Sequence, residues 1–286
     1  MRTRQKIILS ILLHSNRKPS QTQLMKWLFL LKQESLLKND PAFYDFLPYN
    51  FGPFSFEVYR DINFLSNCSY LEKGELSVSP ELLPEILKIE NSLSIMIRQS
   101  IKSHLESYGG ISTRNLVETV YRRYPWFASR SKQLSVPQRI NAPLAVYTIG
   151  YQGKSIDLFL DDLLKGGIKA LIDIRSSPIS RKYGFSKKRL SRLTEKVDIK
   201  YFHFPELGVQ RVLRKHLGTL DEARNLLDYY EQVILPSQLK SCQQVCILIE
   251  NEPSALMCFE KDALWCHRDR LANWLSRITR LDIIHL

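Results

Sequence analysis

SALMCFEKDALWCHRDRLANWLSRIT, residues 254–279, decides the architecture of the second half of this chain. Its first seven residues form an apolar run that closes on Glu260. A short polar turn follows, and from Leu264 apolar residues return at helical spacing. A strand handing over to a helix is the repeating unit of a parallel sheet. At the handover Cys266, His267 and Arg268 stand side by side.

The same alternation runs upstream. AVYTIG (145–150), ALIDIR (170–175) and IKYFHF (199–204) read as strands, and LDIIHL (281–286) reads as a last one. SIDLFLDDLLKG (155–166), SKKRLSRLTEK (186–196) and DEARNLLDYYEQVILPSQL (221–239) carry helical periodicity. CQQVCILIE (242–250) fits a helix or a strand. Alternating strands and helices predict an α/β domain over 139–286, a mostly parallel sheet flanked by helices.

SRSKQLSVPQRINAP, residues 129–143, is polar, basic and marked by two prolines, which places a boundary there. Residues 1–138 have another texture. The N-terminus reads as an amphipathic helix rather than a signal peptide, because its apolar part is short and no small-residue cleavage site follows. Ser20 caps a helix with Leu24, Trp27, Leu28 and Leu31 on one face, and Ser55 caps a second that ends at Asn67. Tyr70 and Leu71 lead into a short strand or turn. ISTRNLVETVYRRYP is a further capped helix, stopped by Pro125. The expectation is a mainly α-helical, winged-helix-like interaction domain.

A length of 286 residues suits two domains, and a composition of 44% hydrophobic and 24% charged residues suits a folded chain. No segment is long and apolar enough to span a bilayer. The five cysteines are odd in number and irregularly spaced, which argues against a disulfide framework and for reduced thiols in a cytoplasmic protein. The net charge is +12, with 19 Lys+Arg against 12 Asp+Glu in residues 1–140 and 22 against 17 in 141–286. A basic balance spread over both halves favours a polyanionic partner.

Ligands of open parallel sheets bind beyond the carboxyl ends of the strands. The first strand delivers Gly150 and Tyr151 there. The second delivers Asp173, Arg175, Ser180 and Arg181, and the third leads to Arg211. The fourth delivers Glu260 and then Cys266, His267 and Arg268. Arg175 and Arg268 are candidate anion ligands. Glu260 is a candidate general acid/base or a partner that orients an arginine. With Asp262 capping a helix from Leu264, Cys266 would sit in the first turn, where the helix dipole and cationic neighbours lower a thiol pKa. Cys266 is then a candidate nucleophile with His267 beside it; the alternative is a thiol that only packs. SRKYGFSKKRLSRL (180–193) interleaves cations with Tyr183 and Phe185, which suits a phosphate backbone with stacking bases, or simply a solvated helix face. Cys242, Cys246, Cys258, Cys266 and His267 are metal-ligating types. Their spacing is not that of zinc knuckles, and Cys258 and Cys266 fall on different elements, so the reading is structural thiols, no metal and no cofactor.

YTIGYQGKSIDLFLDDL, ALIDIRSSPISRKYGFSKKRL, YFHFPELG and LMCFEKDALWCHRDRLA make residues 145–286 resemble the bacterial and archaeal domain-of-unknown-function family 488. The resemblance points to Asp173, Arg175, Pro178, Ser180, Arg181, Gly208, Arg211, Cys258, Glu260, Cys266, His267 and Arg268, and brings no activity with it. Gly208 is followed by Val209 where relatives carry a second glycine, which questions a tight backbone approach there. LMKWLFLLKQES and LPYNFGPFSFEVYRDINFLSNCSYLE resemble the Panacea antitoxin-type domain, which implies a winged-helix-like interaction module.

The leading expectation is a nucleic-acid-directed protein, for DNA before RNA, whose α/β domain binds a nucleotide or phosphodiester at an arginine-rich sheet edge and acts on it or simply holds it. The first domain would add a protein or DNA contact. The alternatives are a thiol-dependent enzyme on a small phosphorylated substrate and a non-enzymatic antitoxin-like regulator.

Overall fold

The structure is a computed structural model, and it describes residues 1–133, 140–214 and 219–286. The centre of the predicted boundary, residues 134–139 with Pro137, lies outside the described residues. The chain divides into two compact units, Met1–Gln138 and Arg139–Leu286.

The first unit is helical, with one small hairpin. Its helices are α1 (Thr3–His14), α2 (Gln21–Glu34), α3 (Phe56–Asn67), α4 (Leu83–Asn91), α5 (Ile95–Tyr108), α6 (Thr113–Arg123) and α7 (Pro125–Ala128). Between α2 and α3, β1 (Leu47–Tyr49) pairs antiparallel with β2 (Gly52–Phe54). The caps form as expected: Ser20 accepts from Gln23 N, Ser55 from Val58 N and Ser112 from Asn115 N. Leu71 makes only an isolated bridge with Val78.

Two expectations need correction. The first helix is not amphipathic, and α2 buries more than the one face of Leu24, Trp27, Leu28 and Leu31. Every residue from Gln23 to Leu31 is buried, and so are eight of the residues of α1. A helix enclosed on all sides needs partners for its polar groups. Arg4 of α1 therefore pairs with Glu57 and Asp61 of α3, and Tyr44 donates to Asp61. Lys26 of α2 donates to the carbonyls of Phe51 and Pro53. Gly52, at φ 88°, makes that turn possible, since a Cβ there would lie 2.6 Å from the Tyr121 ring and 3.2 Å from Lys26 Nζ.

The second unit is a sheet of five parallel strands flanked by helices. The strands are β3 (Val146–Gly150), β4 (Ala170–Asp173), β5 (Lys200–His203), β6 (Ser254–Cys258) and β7 (Ile283–His285), in spatial order β5-β4-β6-β3-β7. The connecting helices are α8 (Ile156–Lys165), α9 (Lys187–Glu195), α10 (Leu220–Tyr229), α11 (Leu235–Ser237), α12 (Leu239–Asn251) and α13 (His267–Thr279). The ambiguous segment 242–250 is helix, part of α12. Its Cys242, Val245, Cys246 and Ile249 pack with Val146, Ile172 and Leu256 of the sheet. The strand after it, β6, is central, inserted between β3 and β4, and all five of its residues are buried. No helix among the described residues is long and apolar enough to cross a membrane.

Burial pushes the Lys26 ammonium from its ordinary 10.5 down to about 7. Between those values the unfolded chain holds a proton that the folded chain has released, so this group makes stability rise with pH from about 7 to 10. Urea midpoints measured at pH 7 and pH 9 should diverge more in the wild type than in Lys26→Met. Equal divergence in both proteins contradicts the assignment.

Candidate functional site

The carboxyl ends of β3, β4, β5 and β6 converge, and the sheet register fixes what meets there. Asp173 ends β4 with its side chain fully buried. Arg175, two residues on, returns to it through Nε and Nη2 at 2.8 and 2.6 Å and donates Nη1 to Tyr151 Oη at 3.1 Å. Tyr201 of β5 donates to Asp173 Oδ2 at 2.6 Å. Burial opposes charge on Arg175, yet the hydrogen bonds and charge of Asp173 outweigh it and hold the guanidinium protonated more firmly than usual. Arg175, 6% exposed, therefore commits three of its N–H donors inside the protein, to Asp173 and Tyr151. Beside it His203 Nε2 donates to the Arg175 carbonyl at 2.9 Å, while Nδ1 accepts from Lys187 at 3.0 Å.

Arg268 is likewise a scaffold group. It is 2% exposed, and its guanidinium donates to the carbonyls of Glu260 and Lys261. Those carbonyls belong to the turn after β6, which lies so close to β3 that a Cβ on Gly150 would come within 1.8 Å of Glu260 O. Gly150 thus serves this close backbone approach. Gly208 makes an equally tight approach without a second glycine, since a Cβ there would lie 2.1 Å from Ser176 N. The doubt raised by Val209 is resolved.

The helix start differs from expectation. Asp262 accepts from Leu264 N in a local turn, and α13 begins at His267 with Cys266 as its N-cap residue. Cys266 is 1% exposed, and burial followed by the neighbouring Cys258 pushes its thiol well above the ordinary range. The expected low-pKa thiolate is corrected: desolvation exceeds any gain from the helix dipole. Glu260 Oε2 accepts from Cys258 Sγ at 3.2 Å and from Cys266 Sγ at 3.1 Å. Burial opposes ionisation of Glu260, and the Cys266 and other hydrogen bonds overcome it, so its pKa falls below the usual value. His267 is buried; its Nδ1 lies 3.8 Å from Cys258 Sγ and 3.9 Å from Cys266 Sγ. Its Nε2 faces the Ile174 carbonyl at 3.4 Å, and Tyr230 packs edge-on against the ring.

Two kinds of residue therefore share this edge. Asp173, Arg175, Tyr151, Cys266, His267 and Arg268 are buried, with Glu260 partly so. Arg181 and Arg211 are exposed and Ser180 is half-buried, its hydroxyl accepting from Lys182 N. Lys187, Lys188, Arg189 and Arg192 are exposed on α9, with Arg189 over the Tyr183 ring. Sequence reasoning missed Tyr201, whose signal was its period-two spacing from His203. It also underrated Cys258, because seven residues and an element boundary lie between it and Cys266.

Residues 155–275 match the family model described as domain of unknown function DUF488. That range holds all the candidate residues except Gly150 and Tyr151. No curated protein and no solved structure is significantly similar to the chain.

Removing Arg175 would leave the Asp173 carboxylate buried with its main charge partner gone. Arg175→Met should cost about 3–5 kcal/mol of stability in urea unfolding, and Asp173→Asn with Arg175→Met together should recover part of it. A loss under about 0.5 kcal/mol in the single variant contradicts the scaffold role.

Proposed function

We propose that the α/β unit binds nucleic acid, DNA before RNA, along the segment 180–192 and Arg211 at the carboxyl edge of its sheet. One observation carries this reading. With Arg175 and Arg268 held internally, the cations that face solvent at that edge include Arg181, Lys187, Lys188, Arg189 and Arg192, interleaved with the half-buried Tyr183. Among the described residues Arg181, Lys188 and Arg192 make no ion pair. Exposed guanidinium and ammonium groups on a helix beside an aromatic ring suit a phosphate backbone with a stacked base. The net charge of +12 adds long-range attraction. Phosphate contacts of this kind position a strand without reading its bases.

The first unit completes the reading as an interaction module of winged-helix-like, antitoxin-type character. The β1–β2 hairpin between α2 and α3 plays the part of a short wing, and the unit supplies a second contact to DNA or to a protein partner. The thiol-enzyme alternative is the weaker one, since a thiol 1% exposed with a raised pKa is a poor nucleophile.

The test is fluorescence anisotropy of the full chain with labelled single- and double-stranded DNA and RNA over a salt series. Arg181→Ala/Lys188→Ala/Arg192→Ala should bind more weakly and flatten the log–log salt slope by about two to three units on duplex DNA. Wild-type affinity and slope in the triple variant, or no binding by the wild type at low salt, overturns the proposal.

A further inference from the structure

We propose that Cys258, Cys266, His267 and Glu260 form a closed site for a thiophilic divalent cation, zinc foremost. Among the described residues, the two Sγ atoms and a ring nitrogen of His267 all lie within 4.8 Å of one another. Glu260 Oε2 reaches both sulfurs, at 3.2 and 3.1 Å. Zinc takes about 2.3 Å to sulfur and about 2.0–2.2 Å to nitrogen or oxygen, so the sulfur–nitrogen and sulfur–oxygen edges of its tetrahedron are each about 3.5 Å. The sulfur–Nδ1 distances of 3.8 and 3.9 Å and the sulfur–oxygen distances fall within a few tenths of an ångström of those edges.

The surroundings fit as well as the ligands. A metal-bound histidine donates its other ring N–H to a carbonyl or carboxylate. Here Nδ1 lies 3.8 and 3.9 Å from the two sulfurs, while Nε2, itself 4.0 Å from Cys258 Sγ, is nearer to the Ile174 carbonyl, at 3.4 Å. Tyr230 fixes the ring plane from the side. Two thiolates and one carboxylate around a dication leave one excess negative charge, and the buried Arg268 guanidinium, bonded to the Glu260 carbonyl, lies beside it. Binding releases the two thiol protons to solvent. Four protein ligands, three of them buried, describe a structural site. It would tie the end of the central strand β6 to the first turn of α13. Cys242 and Cys246, on α12, stand outside the cluster. The inference is independent of nucleic-acid binding.

The experiment is cobalt(II) titration of the reduced, metal-stripped full chain, followed by zinc competition. The expected result is one cobalt per chain, with a thiolate charge-transfer band and the intense visible bands of a tetrahedral ion, both abolished by one equivalent of zinc. Cys258→Ser should lose most of the charge-transfer intensity, Cys242→Ser should keep it, and Glu260→Gln should bind cobalt about tenfold or more weakly. The wild-type titration decides even where a variant fails to fold. Absence of the charge-transfer band in the wild type overturns the proposal, as does a band that Cys258→Ser leaves intact. Glu260→Gln binding as tightly as wild type overturns the closed four-ligand site.

Discussion

One buried guanidinium sets the shape of the sheet edge. Arg268 bonds the carbonyls of Glu260 and Lys261, and so closes the connection between β6 and α13 against β3. That closure demands glycine at position 150, because the Glu260 carbonyl occupies the space of a side chain. It also sets Glu260 between the two sulfurs and starts α13 at His267. A lysine, with one charged nitrogen, could not span both carbonyls with the same fixed fork.

The second buried arginine works in parallel. Arg175 satisfies Asp173, the one carboxylate that ends a buried central strand, and Tyr151 and Tyr201 complete the shell. Buried charges need partners, and Arg175 commits three of its N–H donors to Asp173 and Tyr151. The groups that face solvent are residues that follow: Arg181 and the cations of α9, among them Lys187 with its contact to His203. Scaffold and surface are layered at one edge, and the inner layer positions the outer one.

What was legible in the sequence was local. Ser20, Ser55 and Ser112 cap helices because a cap depends on three neighbouring residues. The alternation of strand and helix over 145–286 reveals the parallel sheet because each βα unit is written contiguously. What was illegible depends on distance along the chain. Arg4 meets Glu57 and Asp61, and Asp173 meets Tyr201, only after folding. Arg175 and Arg268 read as free cations because nothing local shows that their partners are a carboxylate two residues back and two carbonyls of a preceding turn. Helices α4 and α5 escaped notice because apolar residues such as Ile95 and Met96 stay exposed and blur the period. The Cys258, Cys266 and His267 cluster was hidden by its spacing, since strand β6 and helix α13 bring together what the sequence sets apart.

The claim that joins these layers is that the outer cations of the sheet edge are where a polyanion lies. Photo-crosslinking of the full chain to bromodeoxyuridine-substituted single- and double-stranded DNA, with peptide mapping by mass spectrometry, tests it most directly. The account predicts adducts on peptides spanning residues 181–192, Tyr183 foremost. Adducts confined to residues 1–138 would contradict it and would move the nucleic-acid site to the helical unit.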